Sequence, residues 1–277
     1  MKKEIKIALA QLSSSDDIEA NFQQIYKLVS EINEPIDWAM FPENALYMKI
    51  DADCPGVSFD LSEDYFKKLQ ELCKEKQFPI VLGSVPVKKS GKVFNSTVVV
   101  NAVNSAAVYD KIHLFDVDVS GEKSLRESDQ YSHGKETIVI SRDGWRMGLS
   151  ICYDLRFAEL YSQYVKDQVD VLLVPAAFLK TTGKAHWHVL LRARAIENQC
   201  YVVAPAQVGP NKGKSGNVRE TFGHSLVVDP WGDVICDMLE SPPGIEIVTL
   251  SKDKIDEVRK QIPMINHRKI QPEKSHD

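Results

Sequence analysis

Residues 147–165, MGLSICYDLRFAELYSQYV, decide the fold class. An apolar run ends at Cys152, a short polar turn follows, and residues 158–165 have the pattern of a helix. The next apolar run, 171–175, is short enough to be a strand. The segment therefore predicts a strand, a helix and a second strand, with Cys152 at the point where the first strand ends.

The same alternation extends in both directions along the chain. We predict strands at 5–10, 38–41, 80–85, 93–100, 136–140, 201–207, 224–228 and 245–250, and helices at 18–32, 66–73 and 186–198. Asp16 or Asp17 is positioned to cap the helix that begins near residue 18. Because no linker or repeat interrupts this order, we predict one α/β domain over residues 1–277. Its core spans about 4–262, and a polar, extended tail covers 263–277.

Composition and charge exclude several classes of protein. The chain has 277 residues, of which 43% are hydrophobic and 26% charged, so disorder, collagen and coiled coil are excluded. The net charge of −5 argues against nucleic acid or an anionic membrane as the main partner. The first apolar run breaks at Gln11, and Pro175 interrupts the longest one, so we predict a cytoplasmic protein without a membrane span.

Neither the cysteines nor the histidines have the spacing of a metal site. The five cysteines are widely spaced, and no CxxC pair occurs, so a disulfide framework or a zinc site is not expected, while a lone reactive cysteine stays open. His186 and His188 are two residues apart and would face different sides of a helix, which favours packing or hydrogen bonding. Residues 209–215 fall one residue short of a P-loop. We therefore predict no metal and no cofactor.

Three residues at predicted strand ends could form a hydrolytic site. Cys152 lies where a strand meets a helix, a position that can lower a thiol pKa and stabilise an oxyanion. Glu43 follows the strand at 38–41, and Lys111 lies between a strand and the long loop 116–134. Each residue could instead have no catalytic role. Cys152 would then be a buried structural cysteine, Glu43 a solvated loop glutamate and Lys111 a surface lysine. Together they offer a nucleophile, a base and a cation for the oxyanion.

These residues lie in motifs that resemble those of the nitrilase superfamily of carbon–nitrogen hydrolases. The motifs are Phe41-Pro42-Glu43, DKIHLF at 110–115 and ICYDLRF at 151–157. The resemblance implies a Glu43–Lys111–Cys152 catalytic triad, an accessory Glu127 and no cofactor. It also implies a four-layer α-β-β-α sandwich and a homodimer or higher homo-oligomer, with an interface at the 157–165 helix and the C-terminal tail.

Further motifs resemble the Nit branch of that superfamily: TGKAHW at 182–187, RARAIENQCYV at 192–202 and GHSLVVDPWG at 223–232. The branch implies a thiol amidase that forms a cysteine thioester and releases acid and ammonia or an amine. Its substrate would be a small carboxylate-bearing amide, with deaminated glutathione first and α-ketoglutaramate, as for an ω-amidase, or a carbamoyl compound as alternatives. Lys184 replaces a usual proline, and the loop 209–221 looks long.

Substrate-binding residues follow from the same comparison. The backbone N–H of Tyr153 would help Lys111 to hold the oxyanion. Arg156 lies one helical turn after Cys152 and could pair with a substrate carboxylate, or else form a salt bridge with Glu159. Thr182 and Lys184 are pocket candidates by their motif position. An inactive scaffold, or a transferase that uses an amine in place of water, is the remaining alternative.

Overall fold

A computed structural model of the chain describes residues 2–50, 54, 56–118 and 125–270. Part of the long loop predicted at 116–134, namely 119–124, lies outside the described residues, as does the end of the predicted tail, 271–277. No helix within the described ranges is long and apolar enough to cross a membrane.

Strands and helices are numbered here along the chain, and most strands form two mixed sheets. The first sheet has the order β12-β1-β2-β3-β4-β5, with β17 also paired to β1. Its strands are β1 (Glu4–Leu12), β2 (Trp38–Met40), β3 (Ile80–Lys89), β4 (Lys92–Val100), β5 (Ser105–Asp110), β12 (Ala206–Gln207) and β17 (Gly244–Ser251). The pairs β12–β1, β1–β2 and β2–β3 are parallel, whereas β17, β4 and β5 pair antiparallel to their neighbours.

The second sheet has the order β16-β15-β11-β10-β9-β8. Its strands are β8 (Val139–Arg142), β9 (Trp145–Leu149), β10 (Val171–Leu173), β11 (Tyr201–Ala204), β15 (Leu226–Val228) and β16 (Val234–Asp237). Two small hairpins complete the strands: β6 (Asp116–Val117) with β7 (Leu125–Arg126), and β13 (Asn211–Lys212) with β14 (Val218–Arg219). The loop predicted at 209–221 thus contains the second of these hairpins.

Helices cover the outer face of each sheet. They are α1 (Ile18–Ser30), α2 (Asp64–Lys76), α3 (Ala158–Lys166), α4 (Lys180–Asn198), α5 (Lys252–Gln261) and α6 (Met264–His267). Phe22 of α1 and Phe66 of α2 pack against the first sheet. Tyr161 of α3 and Trp187 of α4 join the core of the second sheet. These are the four layers of the predicted α-β-β-α sandwich, so that prediction is confirmed.

Alternation along β1 shows how the layers are held together. Ile7 and Leu9 are fully buried in the cluster that contains Leu149 and the rest of the second sheet. Ala8 and Ala10, on the opposite face, belong to the cluster under α1 and α2. Both faces of the strand are therefore covered, as the continuous apolar run predicts. Burial of each large side chain contributes about 1.5–3 kcal/mol.

The two sheets come into contact at Gly83. A Cβ atom on this residue of β3 would lie 2.3 Å from the Cβ of Pro175 and 2.3 Å from the carbonyl oxygen of Phe41. Pro175 follows a strand of the second sheet, so the contact joins the two sheets. Glycine is required here because any side chain would push the sheets apart.

The structure differs from the sequence prediction mainly at the ends of elements. Helix α4 begins at Lys180, not at 186, although its first turn, KTTGK, contains weak helix formers. A Cβ at Gly183 would lie 2.4 Å from Phe222, so close tertiary packing fixes this turn. Helix α5 was not predicted, because only Ile255 and Val258 of this charged segment are buried. The tail predicted as extended from residue 263 begins with α6.

Candidate active site

Four of the predicted residues line one cavity of about 490 Å³: Glu43, Glu127, Lys111 and Cys152. Glu43 comes three residues after β2, Lys111 directly after β5, and Cys152 three residues after β9. These positions are the carboxyl ends of strands, where ligands of α/β proteins commonly bind. Glu127 opens a short 3₁₀ helix after β7.

Lys111 is buried between two carboxylates. Its Nζ lies 2.8 Å from Oε1 of Glu43 and 2.7 Å from Oε2 of Glu127, and its side chain is 1% exposed. Burial favours the neutral amine, but the charges of Glu127 and Glu43 outweigh it and raise the pKa of Lys111 well above its ordinary value. The site therefore holds a permanent ammonium group.

Hydrogen bonds from the protein fix both carboxylates. The backbone N–H of Ala177 donates to Oε2 of Glu43 at 2.9 Å. The side-chain amide of Asn95 donates to Oε1 of Glu127 at 2.9 Å, and the N–H of Phe115 donates to Oε2 of the same residue at 2.7 Å. Both oxygens of Glu127 are thus engaged, which suits a carboxylate that holds other groups in position.

The turn at Cys152 has an unusual backbone. Its φ is +48°, in the left-handed region that costs a non-glycine residue roughly 1–2 kcal/mol, and its N–H donates to the carbonyl oxygen of Pro175 at 2.9 Å. Burial and the charge of Glu43 raise the pKa of the thiol well above its usual value, although Lys111 opposes the shift. At this strand end, desolvation therefore outweighs the effects that would lower the thiol pKa. The thiol needs a base to become a nucleophile.

A buried carboxylate, Asp154, holds this turn. Its Oδ2 accepts from the Tyr109 hydroxyl at 2.7 Å and from the N–H of Ile151 at 2.9 Å. Its Oδ1 accepts from the N–H of His113 at 2.9 Å and lies 2.7 Å from that ring's Nδ1. Asp154 therefore ties the turn that carries Cys152 to the strand end that carries Lys111. Sequence reasoning did not single it out, although Asp154 and its partners Ile151 and His113 lie in quoted motifs.

The structure places some of the predicted substrate-binding residues on the cavity wall and one of them outside it. Tyr153, Arg156 and Thr182 line the cavity, whereas Lys184 is exposed and lies outside it. The prediction for Lys184 is therefore corrected: Thr182 and Lys184 are two residues apart on α4 and face different directions. Among the described residues, the hydrogen-bond and cation–π contacts of the Arg156 guanidinium are with His186 and aromatic rings, and none is with Glu159.

Arg156 instead belongs to the aromatic wall of the cavity. Its Nη1 lies 3.1 Å from Nδ1 of His186, and its guanidinium carbon lies 5.2 Å from the ring centroid of Phe178. This arrangement leaves the charge of Arg156 without a carboxylate partner among the described residues. A substrate carboxylate could supply one.

Sequence reasoning missed other cations on the cavity wall: Lys49, Arg126 and Arg219. Arg126 is paired with Asp118 at 2.7 Å. Arg219, at the end of β14, has a buried Nε without a hydrogen-bond partner. The signal available for Arg219 was the unusual length of the loop 209–221. Such a buried donor is expected to bind a ligand oxygen or water.

The fold and this cavity together suit a hydrolase, and comparison with known proteins defines its class. The carbon–nitrogen hydrolase profile matches residues 6–260. A deaminated glutathione amidase of Synechocystis is 36% identical over 97% of this chain and 99% of its own length. The chain therefore belongs to the carbon–nitrogen hydrolase family and acts on carbon–nitrogen bonds other than peptide bonds.

Solved structures refine that placement. Nit3 of Saccharomyces cerevisiae, a member of branch 10 of the nitrilase superfamily, superposes with a TM-score of 0.81 at 27% identity, over 98% of each chain. The NitFhit protein of Caenorhabditis elegans gives a TM-score of 0.84 at 33% identity over 97% of this chain. The chain spans only 66% of that NitFhit structure, less than two thirds. The predicted resemblance to the Nit branch is confirmed.

Proposed function

We propose that this chain hydrolyses deaminated glutathione, with Cys152 as the nucleophile. The bond cleaved is the amide between the former glutamyl part of the molecule and its cysteine, not the cysteine–glycine peptide bond. The observation that carries the proposal is the buried cluster of Glu43, Lys111 and Cys152 in one cavity, with the ammonium 2.8 Å from the carboxylate. The identity of the substrate is inferred from relatives named deaminated glutathione amidase, which align over nearly the whole chain.

The first chemical step is formation of a carbon–sulfur bond. Sγ of Cys152 attacks the amide carbonyl while Glu43 takes the thiol proton, as the raised pKa of the thiol requires. The carbonyl oxygen becomes an oxyanion, which Nζ of Lys111 and the backbone N–H of Tyr153 stabilise. The side chain of Lys111 is 1% exposed, and electrostatic stabilisation is stronger at such a buried group than in water.

The second step breaks the carbon–nitrogen bond and then the thioester. Glu43 gives its proton to the departing nitrogen, so that an amine leaves and a thioester remains on Cys152. Glu43 then takes a proton from water, whose oxygen attacks the thioester. The carbon–sulfur bond breaks, the acid is released, and Glu43 returns its proton to the sulfur. Glu127 does not exchange protons and keeps Lys111 in place through its 2.7 Å contact.

Two arginines on the cavity wall suit a substrate with two carboxylates. Glutathione that has lost its amino group carries a carboxylate at each end, whereas α-ketoglutaramate carries one. Arg156 and Arg219 line the cavity in addition to Lys111, and neither has a carboxylate partner among the described residues. A cavity of about 490 Å³ is also within the range that holds drug-sized ligands.

Product analysis with both substrates tests the proposal. We expect wild-type protein to release the acid and an amine from deaminated glutathione with a higher kcat/KM than it releases ammonia from α-ketoglutaramate. Cys152→Ala abolishes both reactions, while Cys236→Ser, a half-buried thiol outside the cavity, retains them. Acid quenching followed by mass spectrometry detects the acyl group on Cys152. Preference for α-ketoglutaramate would instead assign an ω-amidase, and turnover by Cys152→Ala would refute the thioester mechanism.

We also propose that the chain forms a homodimer in the cytoplasm. Val189 and Ile196 lie on one face of α4 and are 62% and 45% exposed. Gly232 packs against Ile196, and Trp231 and Ile235 near it in the chain are 46% and 45% exposed. An exposed apolar face of this kind commonly marks an interface. It adds α4 to the interface predicted at α3 and the tail. Light scattering that gives a concentration-independent monomer mass would refute the dimer, and cell fractionation tests the compartment.

A further inference from the structure

A second group of ligand-type side chains lies outside the catalytic cavity. His188 is on α4, His224 precedes β15, and Asp237 ends β16. We propose that these three side chains bind a zinc-type divalent metal ion that clamps α4 to the β15–β16 edge of the second sheet. The proposal is independent of the amide substrate and of the catalytic roles assigned above.

The three donor atoms already converge. Nε2 of His188 lies 2.9 Å from Oδ2 of Asp237, and Nδ1 of His224 lies 3.0 Å from Oδ1 and 3.1 Å from Oδ2 of the same carboxylate. All three donors lie within 4.8 Å of one another. Zinc bound tetrahedrally at about 2.0–2.1 Å needs donors roughly 3.4 Å apart. Small rotations of these side chains would therefore admit the ion.

Neighbouring groups hold two of the donors in orientation. The backbone N–H of Leu239 donates to Oδ1 of Asp237 at 2.8 Å. The ring of His224 stacks on Phe222, with centroids 4.3 Å apart and planes 20° apart. Supporting contacts of this kind are typical of metal ligands, because they reduce the freedom lost on binding.

The donor set and its exposure select the class of ion. Two imidazoles with one carboxylate suit zinc and similar transition metals, whereas magnesium and calcium prefer oxygen donors alone. The side chain of His188 is 38% exposed, against 16% for His224 and 20% for Asp237. The ion can thus enter past His188, and water can complete the fourth position.

The bound metal ion would support one wall of the catalytic cavity by holding α4 to the second sheet. The indole N–H of Trp187 donates to the carbonyl oxygen of His224 at 2.8 Å. The Trp187 ring lies 4.8 Å from the ring of Phe178, which lines the cavity. We therefore assign the ion a structural role, in which it stabilises α4, and no role in the chemical step.

Zinc titration of Cys152→Ala protein tests this site without competition from the catalytic thiol. We expect one equivalent of Zn²⁺ to bind and to raise Tm by several degrees, because the ion binds only the folded state. His188→Gln in the same background should weaken binding at least tenfold and abolish the rise in Tm. His267→Gln, which removes an exposed histidine on α6, should leave both unchanged.

Cobalt provides a second readout of the ligands. Co²⁺ bound at this site should give visible bands without a sulfur-to-cobalt charge-transfer band, and His188→Gln should remove them. Equal Zn²⁺ affinity in His188→Gln and its background, or a charge-transfer band from a thiolate, would overturn the proposal, as would the absence of saturable binding. Because His188 is partly exposed, this variant is expected to fold, and its Tm without metal checks that directly.

Discussion

Replacement of Asp154 by asparagine tests whether one buried carboxylate positions the nucleophile. Asp154 is fully buried and its two oxygens accept from Ile151, Tyr109 and His113. Asparagine has nearly the same shape but only one acceptor oxygen. Its NH₂ group must face either the N–H of Ile151 and the Tyr109 hydroxyl or the N–H and ring Nδ1 of His113, so one backbone N–H loses its acceptor in either orientation.

The size of the effect follows from this count. A hydrogen bond to a charged group contributes about 1.5–3 kcal/mol, roughly twice a neutral one, so one lost bond together with the weakening of the others costs roughly 3–6 kcal/mol. That is a large part of the 5–15 kcal/mol that typically holds a domain folded. Tyr109→Phe removes one of these bonds, so we expect about half the loss. In both variants kcat should fall more than KM rises, because Asp154 positions the thiol and does not line the cavity.

Urea unfolding of both variants, with amide hydrolysis measured under native conditions, provides the comparison. The expected order of stability is wild type, then Tyr109→Phe, then Asp154→Asn. A loss below about 1 kcal/mol for Asp154→Asn would show that the hydrogen bonds to its charge do not hold the turn. A rise in KM with unchanged kcat would place Asp154 in substrate binding instead.

Three further outcomes are expected. Glu43→Gln removes a negative charge that raises the pKa of Cys152, so alkylation of Cys152 by iodoacetamide should shift to lower pH. Lys111→Met removes a positive charge that lowers this pKa, so the same alkylation should shift to higher pH. Shifts in the same direction for both variants would contradict the charge assignment. Arg156→Lys should raise KM for carboxylate-bearing amides far more than for neutral amides, and equal effects would remove Arg156 from carboxylate binding. Gly83→Ala should lower stability by about 1–3 kcal/mol in thermal unfolding through the clash with Pro175, and unchanged Tm would refute that contact.

Local patterns predicted the strand, turn and helix around Cys152 because each depends on its own residues. The side chain of Asp17 accepts from the N–H of Ala20 and caps α1, one of the two residues expected to do so. The first turn of α4 was not predictable in this way. Its Thr and Gly residues disfavour a helix, and the contact between Gly183 and Phe222 that offsets them joins segments far apart in sequence.

The candidate active site was predicted only through resemblance. By pattern alone Lys111 has the properties of a surface lysine, and its burial depends on Glu43, 68 residues away, and on Glu127, 16 residues away. The sequence did not predict the cluster of His188, His224 and Asp237 for the same reason. His188 was judged against His186, its neighbour in sequence, whereas its partners Asp237 and His224 come from β16 and the segment before β15.

Charge balance explains why two glutamates surround one lysine. With a neutral thiol, Glu43, Glu127 and Lys111 carry a net charge of −1, and a thiolate formed by loss of the proton to solvent would make it −2. That second charge is unfavourable in a buried site, in keeping with the raised pKa of Cys152. Transfer of the proton to Glu43 avoids it, because the net charge stays at −1 and moves from the carboxylate to sulfur and then to the oxyanion beside Lys111. In the proposed cycle Glu127 stays 2.7 Å from Nζ of Lys111, so a second carboxylate remains beside the lysine while Glu43 holds the proton.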